Sequence, residues 1–231
     1  VSEKRLDAIK GFTELGSGFK IAMRDLSIRG AGNILGASQS GFIDSVGFEM
    51  YSQLLEEAIN KRQGKTQVRQ KGNAEFNLQI DAYLPSDYIS DERQKIEIYK
   101  RIREIENQKD YQYLQDELID RFGEYPDQVA YLIEIGLVKA YLDAAFAELV
   151  ERKNDTIIVR FEKVSLKFFL TQDYFEAISK TNLKARISDN QGKVEIIFDV
   201  RNKKDYEILE ELKIFGQTFM EIKKRKEKKE T

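Results

Sequence analysis

The chain has 231 residues, is 41% hydrophobic and 34% charged, and contains neither cysteine nor histidine. That composition leaves enough apolar residue for one large or two small cored domains, and it excludes a disulfide framework, a thiolate or imidazole metal site and a histidine general base. The net charge of −2 is unevenly spread, with residues 1–75 at net +2, residues 76–222 at net −8 and residues 223–231 at net +4, so the large acidic part is poorly suited to contact with a phosphate backbone.

The spacing predicts a helix over residues 1–11, with Leu6 and Ile9 on one face and Ser2 as N-cap. A second helix is expected over 19–28, where Phe19, Ile21, Ala22, Leu26 and Ile28 make an amphipathic run that Gly30 breaks. A Gly/Ser/Gln-rich loop follows, from Gly36 to Gly41, and a third helix over 47–62 carries Phe48, Tyr51, Leu55, Ala58 and Ile59 on one stripe. The stretch therefore reads as two helices joined by a shaped loop that presents Arg29 and Gln39. Residues 63–75 have no periodicity and are expected to form a linker carrying Lys65, Arg69 and Lys71.

A new unit is expected from Phe76. Phe76, Leu78 and Ile80 alternate with polar residues as in a half-buried strand, which Leu84-Pro85 ends. Ser90 is placed to cap a helix with Asp91 and Glu92 in its first turn and Ile98, Ile102 and Ile105 on its inner face. Residues 111–122 form the next helix, with Leu114, Leu118 and Phe122 inward and Gly123 as its stop. Pro126 suits the first turn of a further helix over 127–147. A strand is expected over 156–161 and a helix around 174–180. Strands at 183–187 and 194–198 flank the turn Asp189-Asn190-Gln191-Gly192. A last helix begins near 203, with Leu209, Leu212, Phe215 and Phe219 inward, and residues 223–231 read as a disordered basic tail. The fold class is α+β: an N-terminal helical hairpin module (1–62), a linker (63–75), and a compact domain (76–222) of several helices packed on a small, mostly antiparallel sheet.

Two stretches carry a family resemblance. Residues 24–41, RDLSIRGAGNILGASQSG, resemble the translocation motif shared by RecG-type helicases and bacterial transcription-repair coupling factors. Residues 83–102, YLPSDYISDERQKIEIYKRI, resemble the opening of the terminal domain of the coupling factors, which RecG-type helicases lack. The resemblance implies a C-terminal fragment of an ATP-dependent double-stranded DNA translocase. The whole protein would displace stalled RNA polymerase and recruit nucleotide excision repair through UvrA. Arg5, Arg29 and Gln39, with Gly30 and Gly32 shaping the loop, would couple motor closure to stepping. An arginine suits such a latch because it pairs in bidentate fashion with carboxylate or phosphate. Glu117 and Asp120, three apart on one helical face, would clasp arginines of a UvrB-like N-terminal module and so restrain UvrA recruitment. Without the resemblance, the same residues read as a loop pinned to itself and as an ordinary solvated acidic face, with Arg121 neutralising part of it. The end of a RecG-type fork-remodelling helicase and a stand-alone interaction module are the alternative readings.

A Gly-x4-Gly-Lys-Ser/Thr phosphate loop is absent. The fragment is expected to bind no cofactor and to hydrolyse nothing alone, ATP and magnesium belonging to the parent motor. No catalytic or metal-binding constellation stands out. No apolar run approaches a membrane span and no signal-peptide pattern opens the chain, which fits a cytoplasmic protein.

Overall fold

The computed structural model of the chain describes residues 70–231. The expected hairpin module of 1–62 and most of the expected linker lie outside the described residues. The described residues fall into two compact units. One comprises residues 81–105 and 109–133; the other comprises 70–80, 106–108 and 134–231.

The first unit is helical. It opens on a turn at Pro85, whose carbonyl accepts the amides of Tyr88 and Ile89, both at 3.0 Å. Helix α1 (Glu92–Arg103) follows. Its cap is Asp91, one residue beyond the expected Ser90: Asp91 is extended and its Oδ1 accepts the Gln94 amide at 2.9 Å. Lys100, Arg101 and Arg103 in the last turn suit the negative end of the helix dipole. Ile96, Ile98, Tyr99 and Ile102 are buried, and the Tyr99 hydroxyl accepts the Leu84 amide at 3.2 Å. Helix α2 (Gln108–Phe122) buries Tyr111, Leu114 and Leu118. Gly123, at φ +83°, terminates it, and its amide bonds Ile119 O at 2.9 Å. Pro126 then starts helix α3 (Asp127–Ala144), its carbonyl accepting the amides of Val129 and Ala130.

The second unit holds the sheet, ordered β1-β2-β3-β5-β4. Its strands are β1 (Glu75–Asn77), β2 (Ala147–Lys153), β3 (Thr156–Phe161), β4 (Ala185–Asn190) and β5 (Lys193–Asp199). All pairings are antiparallel except β1 with β2. The β4–β5 turn has positive φ at both Gln191 (55°) and Gly192 (83°), the backbone that a two-residue hairpin with right-handed twist requires. Helix α4 (Thr171–Ser179) and the long helix α5 (Asp205–Glu230) complete the unit. Its core is aromatic: Phe161, Phe169, Tyr174, Phe198, Phe215 and Phe219 are all fully buried, with edge-to-face contacts such as Phe215–Phe219 at 5.0 Å. A β-carbon at Gly216 would stand 2.8 Å from Tyr141 Cβ, so this glycine permits α5 to approach the C-terminal half of α3.

Further expectations need correction. The strand expected along Phe76, Leu78 and Ile80 ends at Asn77, and Gln79 stands in the left-handed region at φ 56°. The helix expected over 127–147 ends at Ala144, because Phe146 turns into the left-handed region at φ 61° and Ala147 starts a strand. The tail expected to be disordered continues α5 to Glu230, tied to α4 by Arg225–Glu176 at 2.8 Å and Lys226–Asp173 at 2.5 Å. The last residues of the expected linker are built into the second unit. Gly72 N donates to Asp143 O at 2.7 Å and Ala74 N to Asp143 Oδ1 at 2.7 Å, and Ala74 is buried.

Candidate functional site

Helix α2 turns Tyr111, Leu114 and Leu118 inward and leaves Gln112, Asp116, Glu117 and Asp120 off that buried stripe. Glu117 and Asp120, the two carboxylates the sequence singles out, are in different surroundings. The Glu117 side chain is 27% exposed and stands between two guanidiniums. Arg101 of α1 pairs with it from one side, and Arg121 approaches from its own helix at 3.3 Å. Arg121 also reaches Glu97 of α1 at 3.1 Å. Charges therefore alternate along Arg101, Glu117, Arg121 and Glu97, and this chain ties α1 to α2. Asp120 is exposed and has no ion-pair partner among the described residues. Asp116 accepts a hydrogen bond from Gln112 Nε2 at 3.1 Å.

The same helix end is rigid. The Arg121 guanidinium lies 4.9 Å from the centre of the Phe122 ring, which contacts the Tyr88 ring at 5.9 Å. The Tyr88 hydroxyl lies 3.1 Å from Leu118 O and 2.9 Å from Gly123 O, so it serves carbonyls that the end of α2 leaves open. Burial, reinforced by Tyr125, pushes the Tyr88 pKa up to about 12, which keeps the phenol a donor. Beside Arg101 a cleft of about 370 Å³ opens between the end of α1 and the start of α2, lined by Arg101, Glu104, Ile105, Lys109, Asp110 and Tyr113. Tyr113 is 70% exposed and carries the Arg101 guanidinium 5.7 Å above its ring.

Arg101 is the residue of this face that sequence reading missed. It lies on another helix, and no spacing rule within α2 announces it. Arg121, by contrast, is visible as the i+4 neighbour of Glu117. The other candidate residues, Arg5, Arg29, Gly30, Gly32 and Gln39, lie outside the described residues. Among the described residues, no group of three or more His, Cys, Asp or Glu is placed to hold a metal ion, and no helix is long and apolar enough to cross a membrane. The arrangement can form reversible ion pairs.

A second cluster, in the sheet-bearing unit, is structural. Lys139 Nζ and Asp143 Oδ2 are 3.3 Å apart and both side chains are almost wholly buried. Lys139 Nζ also donates to Asn73 Oδ1 at 2.9 Å and to Ala74 O at 2.7 Å, while Asp143 takes the Ala74 amide. The buried charges thus hold residues 73 and 74 against α3, just ahead of β1.

Comparison with known proteins places this geometry. Residues 78–172 match the family profile of the TRCF domain. The fold is that of a domain of this class. The chain is 64% identical to a solved structure described as the C-terminal domain of transcription-repair coupling factor, with a TM-score of 0.67, covering 69% of this chain and 99% of that one. It is also 54% identical over 157 residues to the transcription-repair-coupling factor of Bacillus subtilis and 53% identical over 159 residues to that of Staphylococcus haemolyticus. These matches cover 68% of this chain in each case, and the chain spans 13% and 14% of those relatives. The chain belongs to the transcription-repair coupling factor family and corresponds to its C-terminal part.

Proposed function

We propose that the chain is the C-terminal part of an ATP-dependent double-stranded DNA translocase that displaces stalled RNA polymerase and passes the site to nucleotide excision repair. In this reading Arg5 of the expected first helix, with Arg29 and Gln39 of a loop shaped by Gly30 and Gly32, transmits motor closure driven by ATP and magnesium bound elsewhere in the parent protein. The terminal domain restrains UvrA recruitment by clasping the UvrB-like N-terminal module through Glu117 and Asp120.

The observation that carries the clasp is the asymmetry of its two carboxylates. Asp120 is exposed and without an ion-pair partner among the described residues, so an incoming arginine finds it ready. Glu117 is already balanced between Arg101 and Arg121. A partner arginine would replace one of these at little net cost, because one guanidinium pair is exchanged for another. The clasp is then reversible and sensitive to salt, as a restraint that must open has to be.

The test uses the full-length protein. Asp120→Arg should raise UvrA capture severalfold and leave DNA-stimulated ATP hydrolysis unchanged. Unaltered UvrA capture would remove the clasp from the reading. Arg29→Ala tests the other half: ATP hydrolysis should persist while polymerase displacement is lost, and normal displacement would reduce the motif to a structural role.

A further inference from the structure

Leu166, Phe168 and Leu170 alternate along the segment that joins β3 to α4, and they are 44%, 45% and 57% exposed. Their outward placement follows from the buried neighbours that anchor the segment, Ser165 ahead of Leu166 and Phe169 between Phe168 and Leu170. Ser165 is buried, with its hydroxyl 2.9 Å from Ala145 O and 2.7 Å from the Tyr174 hydroxyl. Phe169 is buried with its ring edge-on to Tyr174 at 6.3 Å and to Phe219 at 5.1 Å. Phe168 is further set by stacking on Phe146 at 5.2 Å. The result is a short, rigid strip of three apolar side chains at the surface, which is uncommon outside interaction sites.

The strip is bordered by cations. Lys167, between Leu166 and Phe168, is exposed, and the Lys163 side chain lies against Gly192 of the β4–β5 turn. The end of α5 supplies more: Lys223 Nζ lies 5.9 Å from the Phe168 ring centre, and Lys226 Nζ donates to Phe168 O at 3.0 Å. The nearby carboxylates are already used, Asp173 by Lys226 and Glu176 by Arg225. Lys167 and Lys223 have no carboxylate partner among the described residues. This basic border stands in a domain whose residues 76–222 carry net −8.

We propose that this strip is a docking site for an acidic amphipathic segment of a protein partner. The segment's apolar side chains would cover Leu166, Phe168 and Leu170, and its carboxylates would meet Lys167 and Lys223. Charge complementarity selects the occupant. A second copy related by a twofold axis would oppose lysines to lysines. A nucleic acid would gain from the lysines but would find no aromatic stacking at the two leucines. A carboxylate-bearing apolar helix satisfies both halves of the surface. The site uses none of the α2 residues and does not depend on the clasp.

Fluorescence anisotropy on the 231-residue chain tests it. The probe is a labelled synthetic helix of roughly 15 residues, with leucine and phenylalanine at one face and glutamate elsewhere. Binding should weaken about tenfold or more in L166D/L170D and to a similar degree in K167E/K223E. Adding salt should weaken it further. These are surface positions, and retention of the wild-type melting temperature in each variant confirms that the fold is intact. Four results would each overturn the proposal: no binding of the acidic helix, equal binding to the variants, equal binding of the same helix with lysine in place of glutamate, or displacement of the helix by oligothymidylate. Sedimentation of the chain as a dimer that L170D dissociates would also overturn it, by assigning the strip to self-association.

Discussion

The Glu117 cluster on α2 and the Lys139–Asp143 pair on α3 both contain an acid and a base four residues apart on one helix. They differ in access to water. Glu117 and Arg121 are each more than a quarter exposed, whereas Lys139 and Asp143 are 4% and 2% exposed. In the first cluster water competes for every charge, so partners are exchangeable and the energy of any one pair is small. In the second, desolvation is already incurred, and removing one partner strands the other in a low-dielectric interior. The open cluster is suited to regulation and the closed one to anchoring.

The largest effect should come from breaking the closed cluster. Asp143→Ala leaves Lys139 buried without its carboxylate and the Ala74 amide without its acceptor, and should cost about 3–5 kcal/mol in urea unfolding. Asp143→Asn keeps an acceptor for Ala74 and should cost clearly less. Equal losses in the two variants would mean that the charge carries the whole effect and the retained acceptor contributes nothing. An intermediate case lies on the sheet, where the Glu195 side chain is 13% exposed and accepts from Arg160 Nε and Asn190 Nδ2, both at 2.9 Å. Burial pushes its pKa up, but the Asn190 and Arg160 hydrogen bonds, with the nearby positive charge, outweigh that and hold it below the ordinary glutamate value. A depressed pKa stabilises the fold above the unfolded value and loses that contribution as pH falls through the folded value. Glu195→Gln should therefore cost about 1.5 kcal/mol at neutral pH and flatten the acid limb of the stability curve. An acid limb as steep as the wild type's would show that other carboxylates control it. The smallest effect is expected at the open cluster. Glu117→Gln should change stability by less than about 1 kcal/mol, with the difference vanishing in high salt. A loss as large as that of Asp143→Ala would erase the contrast between the two clusters.

The same contrast explains what the sequence made legible. Local signals worked: Gly123 stops α2, Gln191-Gly192 makes the hairpin turn, and the inner stripe of α2 is Leu114 and Leu118. The α+β class followed from those signals. Features that rest on distant partners did not show. Gly72 and Ala74 look like linker because the group that fixes them, Asp143, lies 69 residues beyond Ala74. Strand β2 has no expected counterpart beyond Ala147, because its charged residues, Glu148, Glu151, Arg152 and Lys153, obscure any alternation, and only the left-handed Phe146 separates it from α3. The end of α5 reads as a solvated basic run until α4 supplies Asp173 and Glu176. At the candidate face, Glu117 and Arg121 were readable as helical neighbours, and Arg101 was not.

The three-residue strand β1 has a practical consequence for anyone isolating this domain. It covers one side of β2, pairing Glu75, Phe76 and Asn77 with Leu149, Val150 and Glu151. A piece cut at residue 78, where the family match begins, would lose that cover and the backbone groups that Lys139 and Asp143 hold. Its β2 edge would then be open to pairing with other copies, so such a piece should express as aggregates, whereas one begun ahead of Gly72 should stay monodisperse.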